Sequence, residues 1–329
     1  MKKLVICLIF ICVLLTGCES KQLITSSLFI PDFNDYDISY EVSDIAAADK
    51  ENIANNMFLY EDICFEEEDI SNGLELNLVA EAAGCYNITD REVIYTKNVY
   101  ARMYPASTTK LLTCLTATKY GDLDKVYEIS EDNCGITIKG AQLCGFMKGD
   151  RLSLRQLLYC LMIHSGNDAA VAIANCVSGD VKSFVELMNK EAKAIGAIGT
   201  HMTNPHGLHD PNHYSTPYDI YLILNECFKH EFLVELISQR HYVCEFKDIN
   251  GNPKTLEMEA TNLYFSGKKT PPENITVLGG KTGVTSAAGY CLIIASRNEE
   301  GKIFITEVFK SDSYDHLYSD MNELLYISK

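Results

Sequence analysis

Apolar and polar positions change rhythm along this chain of 329 residues. Residues 4–15 form an unbroken apolar run without helical period, preceded by Lys2 and Lys3 and followed by Thr16, Gly17 and Cys18. A membrane span needs about 20 apolar residues. The shorter run behind two charges and before small residues predicts an export signal over residues 1–18. From residue 19 to 73 the only bases are Lys21 and Lys50, and acids cluster in "FEEEDI" at 65–70. That composition predicts an acidic, self-repelling linker, leaving residues 74–329 as the folded domain.

Within that domain, β-prone runs at 76–83 and 92–96 flank "NITDR" and predict a strand pair joined by a turn. A helix is expected from about Ser107, with Leu111, Leu112, Cys114 and Leu115 on its buried side. A second is expected from Ser153 through Leu154, Leu157, Leu158 and Leu161. Asp180 is placed to cap a third, carrying Phe184, Val185, Met188 and Ile195 before Gly196 stops it. Strand-like runs follow at 275–278, 291–295 and 302–309, the last two joined by "SRNEEG", and a helix at 314–327 closes the chain. Strands at both ends with helices between predict an α/β chain of the α+β kind: one antiparallel sheet of distant pieces, flanked by helices and carrying a helical subdomain.

Composition narrows the partners. With 47% hydrophobic residues the chain can bury a sizeable core. The formal charge of −17 opposes binding to nucleic acid or to anionic lipid, and loss of Lys2 and Lys3 with the leader deepens it. Of thirteen cysteines, Cys7, Cys12 and Cys18 belong to the leader. The other ten show no C-x-x-C pair and no metal-finger spacing. Several, such as Cys114, Cys160 and Cys176, lie in apolar helical surroundings, so mostly unpaired, buried thiols are expected.

Three short stretches carry chemistry. In "YPASTTK", Ser107 and Lys110 are three apart behind a proline able to open a helix, so their side chains share one face. A serine hydroxyl needs a base to become a nucleophile, and a lysine serves only when burial or a second cation lowers its pKa. Alone, Ser-x-x-Lys arises by chance in most chains of this length. "HSGNDAA" adds Ser165 and Asn167, aimed from a bend at the end of an apolar helix. "GGKTGVTSAAGY" adds Lys281, Thr282 and Gly283 on a strand after two glycines that let another backbone approach.

In that order the three stretches resemble the signature of penicillin-binding proteins and class A β-lactamases. With "YPAS", "GDRLSLRQLLYCLMIHSGND" and "TNPHGLHDPNHYSTPYD", the chain from 74 to 329 resembles the serine-type D-alanyl-D-alanine carboxypeptidases of low molecular mass. The resemblance implies a β-lactamase/transpeptidase-like fold, no cofactor and no metal, peptidoglycan stem peptides ending in D-Ala-D-Ala as substrate, and acylation by β-lactams. It implies Ser107 as nucleophile, Lys110 as its base, and Ser165 and Asn167 as proton relay and substrate clamp. It also implies that Lys281 and Thr282 bind the terminal carboxylate on a strand with Gly283, and that the N–H groups of Ser107 and Val284 form the oxyanion hole. "LTGC" at 15–18 is similar to a bacterial lipobox, which implies lipidation of Cys18 and tethering to the outer face of the cytoplasmic membrane.

Rival readings are weaker on the residues. A β-lactamase needs a deacylating glutamate, and no Glu-x-x-Leu-Asn lies between Asn167 and Lys281, while Gly166 stands where such enzymes carry aspartate. A non-catalytic penicillin or muropeptide sensor would keep the fold, yet every motif residue is present. His201, His206, His209 and His213 invite a zinc reading, but His-Glu-x-x-His is absent. The C-terminal β-rich domain of better-known relatives is not expected here. Where some carry a carboxylate-binding arginine after the last strand, this chain offers Lys310 and His316.

Overall fold

The computed structural model describes residues 63–328. The leader, Cys18 and most of the acidic linker therefore lie outside the described residues. A five-stranded antiparallel sheet organises the rest, in the order β2-β1-β9-β8-β7. Its strands are β1 (Ala82–Asn87), β2 (Glu92–Lys97), β7 (Thr276–Thr285), β8 (Gly289–Arg297) and β9 (Ile303–Ser311). The first and last parts of the described chain thus meet in one sheet, as the pattern of distant strands predicted.

The apolar runs lack alternation because both faces of the sheet are covered. Ala82, Tyr86, Cys291, Ile293, Ile305 and Phe309 face one core, while Ala83, Cys85, Leu292, Ile294, Phe304 and Val308 face the other. The second core is closed by the last helix, whose Leu317, Tyr318, Met321, Leu324 and Leu325 are all buried. Each such side chain contributes about 1.5–3 kcal/mol on burial.

Between β2 and β7 come α1 (Thr109–Tyr120), the short strands β3 (Val126–Glu128) and β4 (Arg151–Ser153), then α2 (Leu154–Ile163), α3 (Asn167–Ser178) and α4 (Val181–Ala194). After them run α5 (Pro217–Cys227), α6 (Glu231–Ser238), β5 (His241–Lys247) and β6 (Pro253–Glu259), and α7 (Tyr314–Tyr326) follows β9. Strands β3, β4, β5 and β6 form a second sheet of four that the sequence pattern did not announce. Burial alternates along β3, β5 and β6, but apolar Val243 and Val126 stand on exposed positions, which blurs the period-2 signal in the sequence.

Local chemistry sets the helix ends. Ser153 and Gln156 form a reciprocal capping box at the start of α2. The Asp180 carboxylate accepts from Ser183 N at 2.8 Å to open α4, and Gly196 follows its end at φ +84°, a left-handed turn that glycine adopts freely. Helix α1 packs against α2, α3, α4 and α5, and its residues 109–117 are buried all round, not on one stripe.

Two boundaries differ from expectation. The first strand begins at Ala82, not 76, because the stretch before it is tied to α7: Asn77 N and Ala80 N donate to the carboxylates of Glu323 and Asp320. The end of the acidic stretch, read as spacer to residue 73, lies on the domain. Cys64 is buried, its N–H donates to Tyr221 Oη at 2.8 Å, and Ile70 exchanges hydrogen bonds with Thr96. All ten described cysteines are free thiols and nine are buried.

Candidate active site

Ser107 lies not in α1 but in a 3-10 turn, Ala106–Thr108, that leads into it. The turn starts from Ala106 at φ +47°, a conformation costing a non-glycine residue about 1–3 kcal/mol, which the surrounding contacts hold in place. It leaves Ser107 partly exposed while Lys110, one turn on, is fully buried. The Lys110 ammonium nitrogen sits 2.9 Å from Ser107 Oγ, 2.9 Å from Asn167 Oδ1 and 2.6 Å from the carbonyl of His206. Burial, with the neighbouring Lys281 charge second, holds the Lys110 pKa well below its ordinary value.

Asn167 opens α3 directly after the bend that ends α2, as its spacing suggested. Ser165 takes φ +61° in that bend and is buried, as is Asn167. The centre of the motif must be small: a Cβ on Gly166 would lie 2.3 Å from Cys144 Sγ. Asp168, which sequence reasoning passed over, clamps the covering loop. Its carboxylate accepts from the N–H groups of Cys144, Gly145 and Phe146, at 2.9, 2.9 and 3.3 Å. The Asn167 N–H donates to Gln142 O at 2.8 Å, fixing the same loop from the other side.

The third wall is β7, an edge strand of the sheet. Gly283 meets the nucleophile's turn so closely that a Cβ there would lie 2.9 Å from Pro105 O and 3.0 Å from Ser107 N. The backbone N–H of Ser107 therefore lies against the segment that continues to Val284, where the oxyanion hole was expected. Lys281 is buried, donates to its neighbour Thr282 O at 2.9 Å, and is brought by burial to a pKa of about 7. The Thr282 hydroxyl faces that of Thr261 at 2.7 Å.

The histidine-rich loop lends the site a backbone atom. The His206 carbonyl accepts from Lys110, and Gly207 packs so tightly that a Cβ would come within 1.9 Å of Ala106 O. His213 Nδ1 accepts from Thr203 N at 3.1 Å, so its Nε2–H donates to Thr109 Oγ1 at 2.8 Å. Burial lowers His206 to about 3 and His213 to about 4, so both are neutral rings in a packed loop. Among the described residues no group of three or more His, Cys, Asp or Glu is arranged to hold a metal ion. Of the two side chains offered in place of a carboxylate-binding arginine, Lys310 pairs with Glu81 at 2.8 Å and His316 Nδ1 lies 2.6 Å from Asp312 Oδ1, both exposed.

A buried lysine between a serine and an asparagine, walled by a Lys-Thr-Gly edge strand, defines the class of serine acyltransferases with the β-lactamase/transpeptidase-like fold. The Streptomyces K15 DD-transpeptidase crystal structure superposes with a TM-score of 0.71 at 27% identity, covering 77% of this chain and 98% of that one. The D-alanyl-D-alanine carboxypeptidase DacF of Bacillus subtilis is 31% identical over 241 residues, 71% of this chain and 58% of its own length. DacA of Haemophilus influenzae is 30% identical over 229 residues, 68% of this chain and 55% of its own. The family profile described as D-alanyl-D-alanine carboxypeptidase, peptidase S11, matches residues 41–313. The chain belongs to that family, although it spans little more than half the length of these two relatives.

Proposed function

We propose that the chain is a serine D-Ala-D-Ala carboxypeptidase that releases the terminal D-alanine of peptidoglycan stem peptides through an acyl-serine. The observation that carries this reading is the 2.9 Å contact between Ser107 Oγ and a fully buried, pKa-depressed Lys110. Neutral Lys110 takes the Ser107 proton as Oγ attacks the penultimate carbonyl carbon. The carbonyl oxygen becomes an oxyanion held by the N–H groups of Ser107 and Val284, where one donor is worth about 2.7–4 kcal/mol of barrier. Protonated Lys110 then hands that proton on through Ser165, in the bend just before Asn167, to the departing amine, which leaves Lys110 neutral once more. The C–N bond breaks, D-alanine leaves, and water then hydrolyses the ester with Lys110 again as base.

Lys281 supplies positive potential for the substrate carboxylate, and Thr282 a hydrogen bond to it. β-Lactams follow the same path to a slowly hydrolysed adduct, since their leaving group stays tethered in the site. Incubation with a pentapeptide ending in D-Ala-D-Ala tests the reading: D-alanine is released by the wild type and not by Ser107→Ala. A folded wild type that releases none would overturn it.

The folded domain acts, on this reading, outside the cytoplasmic membrane, held there by lipid on Cys18 through the acidic segment that follows it. The leader's charge and apolar pattern and the "LTGC" sequence support that arrangement. Among the described residues no helix is long and apolar enough to cross a membrane. Cys18→Ser is expected to move the protein from the membrane to the soluble fraction, and continued detergent-dependent attachment would refute the anchor.

A further inference from the structure

We propose that Thr261 is a positioning residue for substrate recognition, acting through the hydroxyl of Thr282. The inference rests on the carboxypeptidase reading and adds a residue outside its three motifs. The two hydroxyl oxygens are 2.7 Å apart. Each hydroxyl has one proton to give and two lone pairs to receive. To bind an anionic carboxylate, Thr282 must give its proton to the substrate, so the bond between the two threonines has to be donated by Thr261. Thr261 O–H thus fills a lone pair on Thr282 Oγ1 and turns the Thr282 proton toward the ligand. Without it the Thr282 hydroxyl can rotate, and its proton can satisfy another acceptor.

Thr261 is held for this task by the chain on either side. It follows β6 and precedes Asn262, which is buried and whose Oδ1 accepts from Tyr264 N at 3.1 Å. The next N–H, of Leu263, donates at 2.8 Å to Tyr318 Oη on α7. Buried residues of the second core therefore fix the backbone that presents Thr261 to β7, a connection between segments distant in sequence. Thr261 is itself half-buried, at the margin of the site, where a ligand carboxylate has access to its partner.

The test compares wild type, Thr261→Val, Thr261→Ser, Thr282→Val and the Thr261→Val/Thr282→Val double variant. Substrates are a peptide ending in D-Ala-D-Ala with a free carboxylate and the same peptide as terminal amide. Thr261→Val keeps the shape and removes the hydroxyl, so kcat/KM on the carboxylate falls about fivefold, the size of one neutral hydrogen bond. On the amide it falls less than twofold. Thr261→Ser restores the carboxylate preference, and in the Thr282→Val background the Thr261→Val change has no further effect. Equal losses on both peptides, or losses that add to those of Thr282→Val, overturn the proposal. If wild type releases no D-alanine but Ser107 is still labelled by penicillin, the carboxypeptidase reading fails separately. The same variants are then compared by the acylation rate of penicillin against its carboxyl ester, with the same outcomes for and against.

Discussion

Lys110 and Lys281, more than 170 positions apart in sequence, are both buried to 1% exposure or less, and the charge of the second lowers the pKa of the first. Two buried amines in one site cannot both be charged at low cost. The geometry gives the uncharged role to Lys110, which touches the serine, and the charged role to Lys281.

A pH profile follows from that division. The value of kcat/KM rises as Lys110 loses its proton, at a pH well below the ordinary lysine range, and falls through about pH 7 as free Lys281 loses its own. A bound carboxylate favours charged Lys281, so the falling limb of kcat lies at higher pH than that of kcat/KM. Lys281→Arg, whose guanidinium does not titrate, removes the falling limb while lowering activity. Initial rates of D-alanine release between pH 5 and 10 measure both.

Lys110→Met removes the base and leaves a side chain of similar length. Acylation by a fluorescent penicillin is expected to fall at least about a thousandfold, since base and nucleophile act as one unit. Peptide mapping of the wild-type adduct is expected to place the label on Ser107.

Gly283→Ala tests the contact between the edge strand and the nucleophile's turn. Its Cβ would lie 2.9 Å from Pro105 O and 3.0 Å from Ser107 N, both backbone atoms, so the strand or the turn must move. Overpacking of this kind costs about 1–3 kcal/mol. Displacing an oxyanion donor reduces acylation by tenfold or more, and stopped-flow acylation with thermal melting separates the two effects.

Stability carries a pH signature of its own. Glu307 is fully buried on β9, its Oε1 accepting from Tyr86 Oη at 3.1 Å and its Oε2 without a partner, and burial drives its pKa well above the ordinary range. Asp219 is likewise raised, to about 7, by burial. Folding thus holds protons on these two carboxyls that the unfolded chain gives up, so their contribution to stability falls as pH rises from about 4 through 7. The depressed His206, His213, Lys110 and Lys281 act in the opposite sense, the histidines within that same range, so the comparison needs a variant. Compared with wild type, Glu307→Gln is expected to shift the urea midpoint at pH 8 upward relative to the midpoint at pH 5.

The candidate chemistry was legible because it depends on short spacings. Three residues of near-helical backbone bring Ser107 to Lys110, and two residues around a bend bring Ser165 beside Asn167. The two glycines before Lys281 announced a close approach, and the structure supplies the neighbour: a Cβ on Gly279 would lie 2.5 Å from the Ile237 carbonyl oxygen. The sheet of distant strands was legible from β-prone runs near both ends of the chain with helices between them. The β5 and β6 hairpin was not, since charged and apolar side chains mix along its exposed face.

Sequence alone determined which atoms could react and in what order their segments occur, because those properties travel with the local chain. Tertiary structure decided that Lys110 is dry, that the His206 carbonyl and Asn167 close over it, and that Thr261 meets Thr282. The Lys110 pKa falls because packing from elsewhere in the chain strips its water away and brings a second cation near. No spacing within "YPASTTK" records that packing.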